Sequence, residues 1–310
     1  MFEEEAGILE DAERELRSAG KIFVIPAVRG IPVIHAHGDG LAEAYENSLI
    51  ALGHNGSRLK TQYDKPTDPP SIDATAVIIV NNPRAEPVIH KDFPGGPEDL
   101  QEYVMEVCDG IKDDLIRDPE DPTDTRWEYT YHERLTAFDV PSQEPIDQVA
   151  RTLEYLAKNP ETRRANIVTW QPWKDMNIGD PACLQSIWLR ISPAQDSQPE
   201  LLNMNVRMRS NDAYKAAFMN MFAFTRWQER FAQQLSEMRG REVVPGRYFH
   251  EADSYHVYGS YFNEFFERFA RGLGTRSFEG RTARLEDWKE FMDEAVPGIE
   301  EKVKGMSRER

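Results

Sequence analysis

The chain has 310 residues, 40% hydrophobic and 29% charged, the make-up of a globular enzyme rather than of a fibrous or disordered protein. Its formal net charge of -17 excludes a general nucleic-acid binder that works by neutralising phosphates, so any phosphate it holds must be gripped locally by a few placed arginines. Two widely spaced cysteines, Cys108 and Cys183, exclude a disulfide framework and point to a reducing cytoplasm. No apolar run reaches about 18 residues, and the acidic residues 1–5 are no signal peptide, so a soluble cytoplasmic protein that uses no membrane is expected.

Residues 3–19 are predicted as a charged surface helix, and residues 21–28 as a short strand. Leu41, Tyr45, Leu49 and Leu52 recur on one face of a helix over 39–52, which Gly53 is expected to end. A loop with Arg58 and Lys60 follows, then a Pro/Asp-rich turn at 64–70 and a buried β-branched strand at 75–80. A helix over 97–116 opens on Pro97 and carries Leu100, Tyr103, Val104, Val107 and Ile111 as its apolar stripe, and 118–124 is a loop by composition. Residues 127–135 are dense in functional side chains. A helix over 145–157 precedes a strand at 167–170, and residues 184–191 and 201–207 alternate as an antiparallel pair with one buried face. Arg209 to Asp212 close that second strand and open a long helical run over 213–239, a second aromatic-rich helix is expected over 255–273, and the tail from 281 is charged and helical. Helices and strands mix without regular βαβ alternation and no linker stands out, so the reading is a single α+β domain over 1–310, with residues 1–40 an N-terminal extension and 275–310 a charged helical tail.

The candidate chemistry gathers around residues 180–220. Cys183 enters a strand behind Pro181, with arginines in sequence on either side, and a cationic setting favours the reactive thiolate. Cys108 sits in a helix stripe and reads as structural. Arg163 and Arg164, together with Arg209 and Ser210, offer planar forks and a hydroxyl suited to a phosphate dianion, to which Arg58 or Lys60 adds a further contact. Asn220 lies in the apolar run Phe218–Phe222, where an amide is costly unless hydrogen-bonded, and a carboxamide can both donate to and accept from a uracil edge. His256 and Tyr258 are placed to bind sugar hydroxyls. The seven histidines show no ligand-like pairing, so no metal is expected.

Taken in order, these motifs resemble the folate-dependent thymidylate synthase family, which includes the pyrimidine nucleotide hydroxymethylases. Arg163-Arg164 followed by Trp170 and Pro181-x-Cys183 is similar to the double-arginine and nucleophile segment. Arg209-Ser210-Asn211-Asp212 is similar to the phosphate motif, Asn220 to the base-reading asparagine, Asp253 to Tyr258 to the His-x-Tyr sugar motif, and Tyr131-His132-Glu133-Arg134 to the tyrosine segment. The resemblance covers roughly residues 45–270. It implies a mixed sheet with surrounding helices and a sheet-to-sheet homodimer, in which Arg163 and Arg164 bind phosphate in the partner's site. The implied reaction is reductive methylation of dUMP at C5, with 5,10-methylenetetrahydrofolate as co-substrate. Cys183 adds to C6, Asn220 holds the base, Asp212 supports the base and folate region, and Tyr131 helps remove the C5 proton through water. A glutamate on the 97–116 helix assists, either Glu102 or Glu106, with Glu106 preferred. The departures are Leu184 after the nucleophile, Ala182, Met208, His132 and a tail without an apolar end. They place the chain in a divergent branch that is similar to archaeal-type synthases and hydroxymethylases. The alternative is therefore 5-hydroxymethylation of dUMP, dCMP or CMP, in which water rather than hydride captures the methylene. A third reading, a catalytically dead nucleotide- or RNA-binding regulator, predicts a lost nucleophile or lost acidity, and the sequence shows neither.

Overall fold

The buried β-branched run predicted at 75–80 belongs to a longer strand, and a mixed sheet is assembled around it. The computed structural model describes residues 2–27, 30–118, 121, 123–124, 126–193 and 198–308, so part of the 118–124 loop and the terminal Glu309-Arg310 lie outside the described residues. Its strands are β1 (Ile22–Ile25), β2 (Val33–Gly38), β3 (Ser57–Leu59), β4 (Ser71–Val80) and β5 (Ile89–His90). They continue with β6 (Asn166–Val168), β7 (Leu184–Ser192), β8 (Glu200–Asp212), β9 (Val243–Val257) and β10 (Thr282–Ala283). The chain forms two units. The first is made of Met1–Pro94, Arg207–Met221 and Arg247–Asp287, and the second of Gly95–Val206, Phe222–Gly246 and Trp288–Arg310.

In the first unit β4 pairs parallel with β2 and antiparallel with β3 and β9, and β1 pairs antiparallel with β2. A parallel pair needs a crossover, and the Leu41–Asn55 helix supplies it, packing on both β2 and β4. Leu41, Ala42, Ala44, Tyr45, Leu49 and Leu52 are fully buried, because the Glu3–Ser18 helix covers the side that the sheet leaves open. Gly53 does not end this helix. It lies within it because a Cβ there would stand 3.0 Å from Leu9 Cδ1 and 3.2 Å from Phe265 Cζ, so the residue serves close packing and the helix runs on to Asn55. The fold is thus α+β, with a mixed sheet and surrounding helices.

In the second unit β6 pairs antiparallel with β7. The Pro97–Asp109 helix is shorter than expected. It stops where Gly110 takes a left-handed φ of 67°, and a Cβ there would fall 2.2 Å from His132 Nδ1. A buried bidentate pair, Arg134 to Asp175 at 2.9 Å through both nitrogens, joins the Tyr131–Thr136 helix to the Pro172–Asp175 turn of helix, and Arg134 also donates to the Thr169 carbonyl. Leaving either charge alone there would be strongly destabilising, so the pair holds this unit's tyrosine segment in place. The charged tail is helical over Leu285–Arg308, and its Ile299 and Val303 are buried.

Two expectations are overturned. Residues 209–212 end β8 as expected, but no helix opens directly on them, since the helix begins only at Ala217. Tyr255, His256 and Val257 are not at a helix start either, because they end β9, whose buried residues Tyr248, His250 and Ala252 alternate with exposed-side ones. Among the described residues no helix is long and apolar enough to cross a membrane, and no group of three His, Cys, Asp or Glu side chains could hold a metal ion.

Candidate active site

In the second unit, Cys183 sits one residue before β7 and is half-buried. Its backbone N–H donates to the Tyr129 hydroxyl at 3.4 Å. Burial pushes the phenols of Tyr103, Tyr129 and Tyr131 upward, and negative charge at Cys183 adds to the shift of each. Three phenols that stay protonated are therefore near enough to Cys183 to feel its charge. They can donate hydrogen bonds or position water, and Tyr131 acts here as an O–H group rather than as a phenolate base. The rings of Tyr129 and Tyr131 lie 5.7 Å apart, and Tyr131 packs against Phe224. Cys108 shows the opposite setting. It is buried, its thiol donates to the Ala223 carbonyl at 3.6 Å, and burial pushes it up to about 12, as its structural reading requires.

Two glutamates four apart on the Pro97–Asp109 helix have diverged. Burial raises Glu106, and one ion pair with Lys112 at 2.9 Å only partly offsets that. Burial would raise Glu102 too, but Lys112 at 2.7 Å and Lys302 at 2.6 Å outweigh it and hold its carboxyl below the usual value. Glu106 is therefore the carboxyl of the two that burial makes the weaker acid, and it is also the one whose charge reaches Tyr103. Lys112 itself lies 4.9 Å over the Trp127 ring. Leu115, Arg126, Trp127 and Met306 line a cleft of about 220 Å³ in this unit. Arg163 and Arg164 are exposed and form no ion pair among the described residues, and no contact joins them to Cys183. Arg164 lines a groove of about 390 Å³ with Arg151, Tyr155 and Asn166.

In the first unit, the end of β8 and the end of β9 run side by side, tied by Ala213 N–H to the His256 carbonyl at 2.7 Å. The strand end that carries Arg209, Ser210 and Asp212 thus lies beside the one that carries His256, whose ring meets that of Tyr258 edge-on at 4.6 Å. Arg58 lies on β3, where Ile72 of β4 stands between it and Val257 of β9, and it stacks 4.5 Å over Phe262. Asp212 accepts from the backbone N–H groups of Tyr214 (3.1 Å) and Lys215 (2.8 Å), yet burial carries it up to about 6.

Asn220 is buried, as expected of a costly amide with a purpose, and a hydrogen-bonded chain fixes it. Its Nδ2 donates to Asn211 Oδ1 at 3.1 Å, and Asn211 Nδ2 meets His250 Nε2 at 2.8 Å. His250 Nδ1 meets the Tyr248 hydroxyl at 2.9 Å. Burial drives His250 down to about 3, so the ring is neutral. It accepts from Asn211 on Nε2 and carries its proton on Nδ1, which donates to Tyr248. Every member has one direction of donation, and the Asn220 carboxamide is oriented by groups three residues away in the chain of bonds.

Sequence reasoning missed Tyr103, Tyr129, Asn211 and His250. Tyr129 lay inside the dense 127–135 segment and could have been chosen with Tyr131. Asn211 and His250 act through cross-strand neighbours, and with residues 243–254 assigned to no element and a helix expected from 255, their partnership had no signal.

A sequence profile described as thymidylate synthase matches residues 101–291. The chain is 27% identical over 224 residues to a protein of Methanocaldococcus jannaschii named "Putative thymidylate synthase", a match that spans 70% of this chain and 87% of that one. A protein of the same name from Methanopyrus kandleri is 32% identical over 146 residues, 46% of this chain and 63% of its own length. Among solved structures, the thermostable thymidylate synthase A of Bacillus subtilis superposes with a TM-score of 0.53 at 17% identity, over 75% of this chain and 84% of that one, which shows a shared fold. The chain belongs to the thymidylate synthase family, a family of one-carbon transferases.

Proposed function

We propose that the protein is a thymidylate synthase that methylates dUMP at C5, with 5,10-methylenetetrahydrofolate, the family's co-substrate, giving both the carbon and the hydride. The observation that carries this reading is the half-buried Cys183, whose backbone N–H meets the Tyr129 hydroxyl at 3.4 Å, in a setting of protonated phenols whose charge interactions include Cys183 and Glu106. In this reading the Cys183 thiolate adds to C6 and converts C5 into an enolate-like nucleophile that attacks the one-carbon unit. The C5 proton leaves through water held by Tyr131, and Glu106 relays protons because its raised carboxyl can both gain and lose one. Loss of tetrahydrofolate breaks its C–N bond and leaves an exocyclic methylene on C5. Hydride from the tetrahydrofolate reduces that methylene carbon as C5=C6 re-forms and expels the Cys183 thiolate, leaving dihydrofolate. Asn220, oriented by Asn211 and His250, reads the uracil edge, and Asp212 supports the base and folate region. Arg209, Ser210 and Arg58 take the phosphate, and His256 and Tyr258 take the sugar hydroxyl.

The exposed pair Arg163 and Arg164, without carboxylate partners among the described residues, is read as reaching the phosphate of a partner subunit in a homodimer. The cytoplasm, where thiols stay reduced, is the compartment that suits Cys183.

Mass spectrometry of products from methylenetetrahydrofolate with dUMP, dCMP, UMP or CMP tests the reading. Methylated dUMP formed together with dihydrofolate is the expected result. A hydroxymethylated nucleotide with tetrahydrofolate left over would instead assign the protein to the hydroxymethylases, with the accepted nucleotide naming its substrate.

A further inference from the structure

Asp73 and His256 are neighbours across the β4–β9 pairing and are both almost wholly buried, at 5% and 4% exposure. Ser254 lies between their side chains: its Oγ is 2.8 Å from Asp73 Oδ2 and 3.2 Å from His256 Nδ1. A hydroxyl has a single proton to give. The carboxylate takes it, so the serine oxygen turns its lone pairs to the imidazole, and Nδ1 must carry the ring proton. His256 Nε2 is left as a bare acceptor. It is buried and has no hydrogen-bond partner among the described residues, and neither has Asp73 Oδ1. Buried polar atoms are seldom left unpaired, and two acceptors on one strand pair call for a ligand that brings protons. Burial carries His256 down to about 4, with the Ser254 backbone and Asp64 opposing, so the ring is neutral and its tautomer is the property that decides what it can bind.

We propose that Asp73 is a positioning residue which, through Ser254, holds His256 in the tautomer whose Nε2 accepts a hydrogen bond, so that the site receives a ligand hydroxyl by its proton. The proposal rests on the reading above that His256 meets the sugar of a nucleotide, and it adds which polarity the site presents and what sets it. Asp73→Asn reverses the relay. The new amide nitrogen donates to Ser254 Oγ, the serine proton turns to Nδ1, and Nε2 becomes a donor.

The test is nitrogen-15 spectroscopy of the histidine rings in the full-length protein at about pH 8, together with steady-state kinetics on dUMP. In the unsubstituted protein the unprotonated, pyridine-type resonance of His256 is expected at Nε2, and in Asp73→Asn at Nδ1. The KM for dUMP should rise about tenfold in that variant with kcat within about twofold, the pattern of lost uniform binding. A 3′-fluoro-3′-deoxy nucleotide, which can only accept, should bind the variant better than the unsubstituted protein. Should Asp73→Asn fold poorly, Ser254→Ala removes the relay without changing a charge, and the single tautomer should give way to a mixture. A proton on Nε2 in the unsubstituted protein, or the same tautomer in all variants, overturns the proposal. A reversed tautomer with an unchanged KM upholds the relay and counts instead against the sugar-binding reading.

Discussion

The two units carry functional groups of opposite character. Around Cys183 the side chains are poised for proton traffic: a half-buried thiol, a carboxyl raised by burial at Glu106, and a lysine shared between two glutamates. In the unit that holds Asn220, burial carries Asp212 up to about 6. His250 is neutral, its two nitrogens are committed to Asn211 and Tyr248, and the amides run in one direction. Reactivity needs groups whose protonation can change, and recognition needs groups whose polarity cannot. In the proposed function the same chain supplies both, by burying carboxylates and a thiol in one setting and neutral amides and imidazoles in another.

Removing the nucleophile tests the contrast most severely. Cys183→Ala should lower turnover by at least about a thousandfold while dUMP still binds, since a covalent route has no substitute for the sulfur. Turnover that survived in single-turnover assays would mean that attack at C6 does not use this thiol. Next in size is the divergence of the two glutamates. Glu106→Gln should cost about a hundredfold in kcat, the scale of a lost general acid or base, whereas Glu102→Gln, already held ionised by Lys112 and Lys302, should cost less than tenfold through geometry alone. Equal losses in both variants would erase the distinction drawn from their surroundings.

On the recognition side, Asn211→Ala removes one hydrogen-bond partner of Asn220 without touching Asn220 itself. With the carboxamide less firmly oriented, uracil-over-cytosine discrimination, read from kcat/KM on dUMP and dCMP, should fall by about tenfold, the scale of one lost hydrogen bond of about 1 kcal/mol. Asn220→Asp should move preference toward the cytosine nucleotide. The smallest expected effect is a slope in stability with pH. Asp212 is raised from 3.8 to about 6 in the folded protein by burial, so between those values the native state binds more protons than the unfolded chain. Its contribution to stability is therefore present at low pH and lost as pH rises towards 6. Thermal melts of the unsubstituted protein and Asp212→Asn across that window should converge at the acid end, and the variant should lose less stability on the way up.

Much of this was legible in the sequence. The Leu41–Asn55 helix announced itself through period-3.6 leucines, the 75–80 run through β-branching, and the site through motifs that keep their order even though each is short. What stayed hidden was hidden for physical reasons. β2 (VIHAHG) alternates histidine with small residues and makes no apolar run, so it only reads as a strand once β4 is beside it. β9 does alternate, but its inward face is built of Tyr248, His250 and Ala252 rather than of branched aliphatics, and its pairing with β4 is interrupted by a register shift between Ala74 and Ala76. The roles of Tyr103 and Asn211 depend on what faces them across space. Tyr103 counted as one more member of a helix stripe, and only its neighbours Glu106, Tyr129 and Cys183 set it apart from Leu100. Gly53 misled because glycine ends helices by freeing φ and also allows them to touch, and sequence alone does not say which use is made.

Each unit is threaded from three separated stretches, and that has a consequence for how the molecule is made. The first unit closes only when the stretch ending at Asp287 has emerged, and the second only with Trp288–Arg310, whose Lys302 clasps Glu102. A ribosome adding about 5–20 residues each second would finish nearly the whole chain before either core is complete. β4, β8 and Cys183 must wait through that interval half-built, and a chain cut before the final helix would leave the second unit without the lysine that separates the duties of its two glutamates.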